Sequence, residues 1–182
     1  MKRVLIPLAQ GCEELEAITI SDLLTRAGID VVTCGLDEQS VVASRGTTII
    51  PKTVLKKVAN ELFDMLVLPG GMPGAKHLRD NVMLQTCLKN HANNNRYIAA
   101  ICAAPKALAA AGLLKNKTVT CFPGALDDAQ LENTTITSNA IEIDHKIITS
   151  RGPGTAIDFA LMLIELLEGK QKSQEVEMAL QR

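Results

Sequence analysis

The sequence YIAAICAAP, at residues 97–105, changes its character at a single cysteine. Before this cysteine, Tyr97–Ile101 is an apolar run of the kind that forms a buried parallel strand. After it, Ala103–Ala111 is rich in alanine, the residue with the highest helix propensity. The sequence therefore predicts a sharp strand-to-helix turn with Cys102 at its apex, the cysteine counterpart of a nucleophile elbow.

Cys102 at this turn has two interpretations. The N–H groups and the dipole at a helix N-terminus favour a thiolate, so the residue would be a reactive nucleophile. A free cysteine is also among the most buried residue types, so the same residue would simply belong to the core. This stretch by itself leaves both interpretations open.

Strand-like and helix-like segments alternate along the whole chain. The predicted strands are Lys2–Leu8, Ile29–Leu36, Val41–Ser44, Thr47–Ile50, Leu66–Leu68, Tyr97–Ile101, Val119–Cys121, Thr135–Thr137, Ile141–Ile143 and Ile147–Thr149. The predicted helices are Glu13–Ala27, Ala75–Asp80, Met83–Asn93, Ala103–Ala111 and Thr155–Leu167, with a short surface helix after Lys170. This alternation predicts an α/β fold with a mainly parallel sheet covered on both faces. We expect one domain, residues 1–182, with a core over about residues 2–169 and a short C-terminal helical tail.

The composition argues against several classes of protein. Hydrophobic residues make up 47% and charged residues 21% of the 182 residues, as in an ordinary soluble domain. A net charge of -1 and an aromatic content of 2% disfavour nucleic-acid binding. No apolar run reaches the ~18 residues of a membrane span, and there is no signal-peptide pattern. The five cysteines include no CxxC pair and the three histidines are scattered, so we expect free thiols, no metal site and a cytoplasmic location.

Three chemically interesting segments are predicted to meet at one edge of the sheet. In open α/β sheets, ligands bind at the carboxyl ends of the strands. Gly11–Glu16 follows the first strand, the Gly70-Gly71 pair follows the Leu66–Leu68 strand, and Cys102 follows its own strand. This convergence favours the nucleophile interpretation of Cys102.

Three acidic residues open the first predicted helix. Acidic side chains in a first turn commonly just complement the helix dipole, and this is the default interpretation of Glu14. Glu16 differs because it lies on the apolar stripe of Ile20 and Leu23, at helical spacing. Glu13 also leans towards this stripe but is free to reach water. A carboxyl turned inward needs a partner, and the Cys102 thiol is available.

The glycine pair also has two interpretations. A plain turn is the commoner one, and the Gly-x-Gly-x-x-Gly spacing of a dinucleotide site is absent. In the functional interpretation, the Gly71 N–H and the Ala103 N–H hold a developing oxyanion near the sulfur.

Four segments carry a resemblance to a known family: GCEELEA at 11–17, LPGG at 68–71, AAICAAP at 99–105 and TSRGPGT at 149–155. They resemble the ThiJ/PfpI superfamily, in order and over nearly the whole chain. The nearest branch is that of the parkinsonism-associated deglycase and the bacterial YajL-type proteins. The resemblance implies a flavodoxin-like three-layer sandwich, a homodimer and activity without a cofactor.

The resemblance also implies roles for individual residues. By position, Cys102 is the oxidisable cysteine, Glu16 is a protonated glutamate hydrogen-bonded to it, and Gly71 and Ala103 are the oxyanion donors. The further pocket residues it implies are Arg26, Arg45, Gly70, Phe122 and Pro153. Arg26 and Arg45 also have plain interpretations, as a helix C-terminal charge and a turn residue.

Two departures from the family pattern limit the chemistry. The peptidase branch has a histidine directly after the cysteine, where this chain has Ala103. The parkinsonism-associated branch has a histidine before a proline near the site, where this chain has Phe122-Pro123, which resembles the bacterial proteins. The sequence therefore assigns no histidine to the site, and this disfavours a peptidase that needs an imidazole base.

Two functions remain, and both use the same thiol. The first is cysteine-dependent glyoxalase or deglycase chemistry on reactive dicarbonyls or on glycated protein or nucleotide groups, with Cys102 as nucleophile and Glu16 as proton shuttle. The second is a redox-sensing, chaperone-like stress protein in which Cys102 is oxidised without turnover. A third label, thiamin thiazole-phosphate biosynthesis, comes from the family resemblance alone.

Overall fold

A computed structural model describes residues 1–182. The strands are β1 (Arg3–Leu8), β2 (Asp30–Gly35), β3 (Val41–Val42), β4 (Thr48–Ile49), β5 (Thr53–Val54), β6 (Met65–Leu68), β7 (Tyr97–Ile101), β8 (Thr118–Thr120), β9 (Thr135–Thr137), β10 (Ile141–Asp144) and β11 (Ile147–Ser150). The helices are α1 (Glu14–Arg26), α2 (Leu55–Val58), α3 (Gly74–Asp80), α4 (Val82–Asn93), α5 (Pro105–Ala110), α6 (Ala156–Glu168) and α7 (Lys170–Ala179). No helix is both long and apolar enough to cross a membrane.

The central sheet has seven strands in the order β10-β11-β7-β6-β1-β2-β5. All neighbouring strands run parallel except the hairpin of β10 and β11. The predicted α/β fold with a mainly parallel sheet is confirmed. The chain moves outward from β1 to β2 and β5, then returns to β6 on the other side of β1. A switch point of this kind opens a crevice at the carboxyl ends of β1 and β6.

Two hydrophobic cores lie on the two faces of this sheet. Successive side chains of a strand point to opposite faces, so Val4 and Ile6 belong to one core and Leu5 to the other. The core with Ile6 includes apolar residues of α1 and α6, and the core with Leu5 includes those of α4 and α5. The result is the three-layer arrangement that the alternating pattern predicts.

Several short elements differ from the sequence prediction. β5 and α2 have only two and four residues and were not predicted, because neither is long enough to show a period. β3 and β4 pair with each other as a separate hairpin outside the main sheet. The helix after the cysteine begins at Pro105 rather than at Ala103, because residues 102–104 form a turn. The tail does form a helix, α7, which buries Val176.

His91 is a buried histidine on α4. The side chain is 1% exposed. Its Nε2 accepts a hydrogen bond from the Phe63 N–H at 3.2 Å, and its Nδ1 lies 2.8 Å from the Cys87 carbonyl oxygen. This pairing requires the neutral ring, with the proton on Nδ1. Burial accordingly lowers the pKa of His91.

We expect His91 to make the protein less stable at acid pH. The unfolded chain takes up a proton at this residue near pH 6.5, whereas the folded chain does so only at a lower pH. Stability is therefore fully present above about pH 6.5 and is lost as the pH falls below it, by at most about 1.4 kcal/mol per pH unit. Urea unfolding at several pH values, compared with His91→Gln, isolates this contribution. A constant difference between the two proteins from pH 8 to pH 5 would contradict it.

Candidate active site

Cys102 lies directly after β7 in a backbone conformation that is unusual for a cysteine. Its φ is 63°, in the left-handed region. The backbone is held on both sides, because the Cys102 N–H donates to the Ser150 carbonyl at 2.9 Å and the Phe122 N–H donates to the Cys102 carbonyl at 2.8 Å. A left-handed residue of this kind costs about 1–3 kcal/mol and persists where its surroundings fix it. The side chain is 8% exposed.

Glu16 is completely buried in the first turn of α1, beside Cys102. Its side chain is 0% exposed. Oε2 accepts a hydrogen bond from the Gly70 N–H at 2.7 Å, whereas Oε1 has no hydrogen-bond partner. Burial raises the pKa of Glu16 to about 7, and the charge of Glu13 adds to this increase, while the hydrogen bonds from Gly70 and Cys102 oppose it.

Gly70 brings the thiol and the carboxyl together because it has no side chain. A Cβ at this position would lie 2.7 Å from the Cys102 Cβ and 2.9 Å from Glu16 Oε2. Real Cβ atoms do not approach other atoms so closely. The contact between the two functional groups therefore depends on glycine at position 70.

Two backbone N–H groups near the Cys102 sulfur, those of Gly71 and Ala103, lower the pKa of its thiol. Gly71 adopts a φ of 88°, and a Cβ there would lie 2.3 Å from the Glu13 nitrogen. The loop after β6 is thus pressed against the loop after β1, and this contact aims the Gly71 N–H. The structure brings together all four residues that were singled out for chemistry: Cys102, Glu16, Gly71 and Ala103. Their catalytic roles stay predictions.

The acid–base behaviour of the pair differs from the sequence-based expectation in one respect. Burial, followed by the negative charge of Glu16, raises the pKa of the Cys102 thiol to about 12. A lowering by the helix N-terminus was expected, but α5 has only six residues and starts three residues later. Two negative charges are thus not held side by side in this pocket. Since the pKa values of both groups are raised, the pair carries at most one negative charge around neutral pH.

Hydrogen-bond donors favour the sulfur as the position of that single charge. A thiolate would be stabilised by the N–H groups of Gly71 and Ala103 and by a protonated Glu16. A Glu16 carboxylate would receive only the Gly70 N–H and the thiol. A charged group is stabilised by each donor that it accepts. A protonated Glu16 that donates to the thiolate stays a prediction.

Comparison with known proteins identifies the family of this chain. Residues 2–166 match the model of the DJ-1/PfpI family. The chain belongs to the DJ-1/PfpI family. It is 40% identical to the Drosophila melanogaster protein dj-1beta over 180 residues, which cover 98% of this chain and 96% of the relative.

The structural likeness is equally close. The structure described as Toxoplasma gondii DJ-1, oxidized, superposes with a TM-score of 0.94 at 37% identity, covering 99% of this chain and 98% of that chain. The Caenorhabditis elegans relative named glutathione-independent glyoxalase DJR-1.2 is 35% identical over 95% of this chain and 91% of its own length. The chain spans only 46% and 40% of the length of the Arabidopsis thaliana relatives DJ-1 homolog A and DJ-1 homolog B. The flavodoxin-like fold expected of the DJ-1/PfpI family is confirmed.

Within one chain, Arg26 lies at the opposite end of α1 from Glu16, and its place in the pocket stays a prediction. It is ten residues beyond Glu16 on α1, which places it about 15 Å along the helix axis. Its Nε binds Asp22 Oδ2 at 2.7 Å, and the neighbouring cavity is formed with residues of α7. Its plain interpretation, a basic residue at a helix C-terminus, fits the structure. The separation arises because α1 runs away from the carboxyl ends of the strands.

Of the other pocket residues, Phe122 is in direct contact with Cys102. Phe122 is tied to the Cys102 carbonyl through its backbone, and its half-exposed ring would lie 3.4 Å from a Cβ on Gly152. Pro153 follows Gly152 and starts a short 3-10 turn. Arg45 is exposed in the β3–β4 turn, and its side chain has no ion pair. The aromatic ring of Phe122 thus covers the loop beside Cys102.

Glu14 has a function in the fold that the sequence pattern did not reveal. Its carboxylate accepts hydrogen bonds from the Arg45 N–H at 3.0 Å and from the Ser44 hydroxyl at 3.1 Å. Backbone and hydroxyl donors hold the pKa of Glu14 at about 2. It was interpreted only as a dipole complement. In the structure its hydrogen bonds hold the β3–β4 turn against the start of α1, where Glu13 and Glu16 also lie.

Proposed function

We propose that this protein is a cofactor-independent enzyme of the glyoxalase or deglycase type, which converts reactive 2-oxoaldehydes or their early adducts. The observation that carries the proposal is the buried pair of Cys102 and Glu16, which meets at Gly70 beside the N–H groups of Gly71 and Ala103. A nucleophile, a proton shuttle and oxyanion donors are the groups that carbonyl addition requires. The name of the Caenorhabditis elegans relative, a glutathione-independent glyoxalase, supports the same reaction class.

The first step is addition of the sulfur to the aldehyde carbon. The Cys102 thiolate attacks this carbon, and the carbonyl π electrons move to the oxygen. The N–H groups of Gly71 and Ala103 stabilise the developing oxyanion, since they already point to the region of the sulfur. Glu16 then gives its proton to that oxygen. The product is a neutral hemithioacetal, and Glu16 is left as a carboxylate.

The later steps use the same carboxyl in both directions. The Glu16 carboxylate removes the hydrogen of the former aldehyde carbon as a proton, which gives an enediolate, and then returns a proton to the neighbouring carbon. The hydroxyl proton of the hemithioacetal moves to the former ketone oxygen, and the carbon bonded to sulfur becomes the thioester carbonyl. This converts a hemithioacetal of methylglyoxal into the thioester of lactic acid without any external oxidant. Water then cleaves the thioester, which restores the thiol. A carboxyl with a pKa of about 7 suits both directions of transfer.

Glycated groups fit the same chemistry. An early adduct of a 2-oxoaldehyde with an amine or a thiol carries a carbon already bonded to oxygen and can release the free aldehyde. The site is next to the surface, since Gly71 and Phe122 are partly or fully accessible. We therefore include glycated protein or nucleotide groups among the candidate substrates.

The decisive experiment is turnover of methylglyoxal by the pure protein. We expect Cys102→Ser to lower kcat/KM by at least ~100-fold, because a serine hydroxyl is a much weaker nucleophile than a thiolate. The matched control is Cys87→Ser, since Cys87 is buried on α4 and its thiol donates to the Ala59 carbonyl, a contact that serine retains. Lactate formation that is equal in the wild type and in Cys102→Ser would reject the enzymatic proposal.

A second candidate function is redox sensing by the same cysteine. The Toxoplasma gondii structure is described as oxidized. Here the N–H groups of Gly71 and Ala103 and a protonated Glu16 could hold the oxygens of a Cys102 sulfinate. Protection of client proteins that depends on peroxide, without turnover of dicarbonyls, would favour this function over the first.

We further propose a homodimer. Exposed apolar side chains occur at Leu15 and Ile18 on α1 and at Val42 and Ile50 on or beside the β3–β4 hairpin. Exposed apolar side chains of this kind mark interaction surfaces when they form one patch. Sedimentation equilibrium at micromolar concentration should give twice the 19.5 kDa of one chain. Ile18→Asp should shift the protein towards the monomer, and a monomeric wild type would contradict the proposal.

A further inference from the structure

A second cavity lies on the face of the sheet that carries α3 and α5. Its volume is about 330 Å³, which is within the range of small-ligand sites. It is lined by Arg79 at the end of α3, by Lys106 and the outer side of α5, and by the loop with Asp128 and Gln130. None of the groups assigned to the proposed reaction lines it.

Lys106 in this cavity is unusual because it is charged, largely buried and weakly paired. Its side chain is 12% exposed. The nearest acidic atom is Asp128 Oδ1, 3.8 Å from Nζ, which is beyond hydrogen-bond distance. An ammonium group carries three donors, and no hydrogen bond joins the Lys106 Nζ to the protein. The Lys106 ammonium is therefore available to an acceptor that enters the cavity.

Arg79 directs a second cationic group to the same place. Its Nε and Nη2 bind the Asp80 carboxylate at 2.7 and 3.2 Å, so this part of the guanidinium is satisfied. Nη1 is 3.8 Å from Asp128 Oδ2. Both cations thus face the Asp128 carboxylate, but neither is close enough to donate a hydrogen bond to it. The Asp128 side chain is 66% exposed.

We propose that the cavity between Arg79 and Lys106 is a binding site for the phosphate group of a small metabolite. When the ligand is absent, the Asp128 carboxylate balances the positive charge of these two side chains. With Asp80 neutralising Arg79, displacement of Asp128 leaves one uncompensated positive charge on Lys106. The free donors are the Lys106 ammonium, Arg79 Nη1 and the Gln130 amide. A tetrahedral oxyanion can accept from all of these at once. Ala109, Ala110 and Gly112 form a wall without charge for the remainder of the ligand.

The site is independent of the proposed enzymatic function. It uses no group of the Cys102 pocket, and its test measures binding rather than turnover. Inorganic phosphate and glycerol phosphate serve as the two probes, since together they distinguish recognition of a free anion from recognition of a phosphate ester. Binding is measured by titration calorimetry and by amide chemical shifts at constant ionic strength, because nonspecific charge effects depend on salt.

Lys106→Met and Asp128→Asn are the informative variants. Lys106→Met keeps the buried stem and removes the charge, so we expect phosphate to bind about 10-fold or more weakly. Asp128→Asn removes the competing carboxylate and should strengthen binding severalfold. The control is Lys115→Met, because Lys115 is an exposed lysine paired with Glu132 at 2.7 Å and should not affect binding.

The outcomes separate the proposal from nonspecific attraction. Shifts confined to Arg79, Lys106 and residues 128–130, lost in Lys106→Met, would support it. Tighter binding of the ester than of inorganic phosphate would support it and identify esters as the ligands, and equal binding would support recognition of the phosphate group alone. Absence of binding of either probe to both the wild type and Asp128→Asn would overturn it. Equal binding by Lys106→Met and Lys115→Met would also overturn it.

Discussion

Glu16→Gln is expected to lower turnover of a 2-oxoaldehyde by at least ~100-fold, while Cys102 keeps most of its reactivity towards alkylating agents. A glutamine amide can still donate a hydrogen bond to the sulfur, but it cannot take up and return a proton. General acid–base catalysis by a positioned side chain contributes about 10²- to 10⁴-fold. The measurement is kcat/KM for methylglyoxal together with the rate of iodoacetamide labelling as a function of pH.

Glu16→Leu gives the complementary result. It removes both the donor and the proton shuttle. The Cys102 thiolate then loses the hydrogen bond that stabilises it in the proposed pair, so alkylation of Cys102 should require a higher pH than in the wild type. Glu14→Gln is the matched control, because Glu14 is an acidic residue of the same helical turn that binds the β3–β4 turn instead. If Glu16 were only a complement to the helix dipole, labelling curves of the wild type and both Glu16 variants would coincide. That outcome would refute the assignment of Glu16.

Gly70→Ala is expected to damage the fold and the site together. The new methyl group would lie 2.7 Å from the Cys102 Cβ and 2.9 Å from both the Ile101 carbonyl oxygen and Glu16 Oε2. Overpacking of this kind costs about 1–3 kcal/mol of unfolding free energy. Relief of the clash must separate Glu16 from Cys102, and a displacement of about 1 Å can lower turnover by about 10²-fold.

Gly154→Ala is the control for this substitution. An added Cβ at Gly154 would have no atom within 4 Å, and the backbone there is not left-handed. Urea unfolding and methylglyoxal turnover are measured on both variants. Equal stability and equal activity of Gly70→Ala and Gly154→Ala would show that the tight contact around residue 70 is unimportant.

The larger features of the fold were predictable because they rest on local composition. Tyr97–Ile101 reads as a buried parallel strand, and it is β7, since a strand covered on both faces must be apolar along its length. The inward orientation of Glu16 followed from its helical spacing to Ile20 and Leu23, which are all buried on α1. These inferences need only the periods of helix and strand.

The remaining features depend on contacts that no local pattern encodes. Glu14 binds the backbone of Arg45, 31 residues away, and nothing near Glu14 in the sequence marks this partner. Arg26 was assigned to the pocket from family position, and that assignment stays a prediction. The pKa of the Cys102 thiol is raised because the sulfur is buried and because it lies beside the Glu16 charge. The sequence shows that a helix follows, but not how deeply the sulfur is enclosed.

The left-handed backbone at Cys102 has a consequence for how this chain can evolve. At a φ of 63°, glycine would be free of the steric cost that any residue with a side chain bears. Selection for stability alone would thus favour glycine over cysteine at position 102, although this is the cysteine that lies beside Glu16. Cysteine at position 102 therefore lowers the free energy of unfolding relative to glycine. If its chemistry were no longer under selection, we expect Cys102 to be replaced earlier than the apolar residues around it.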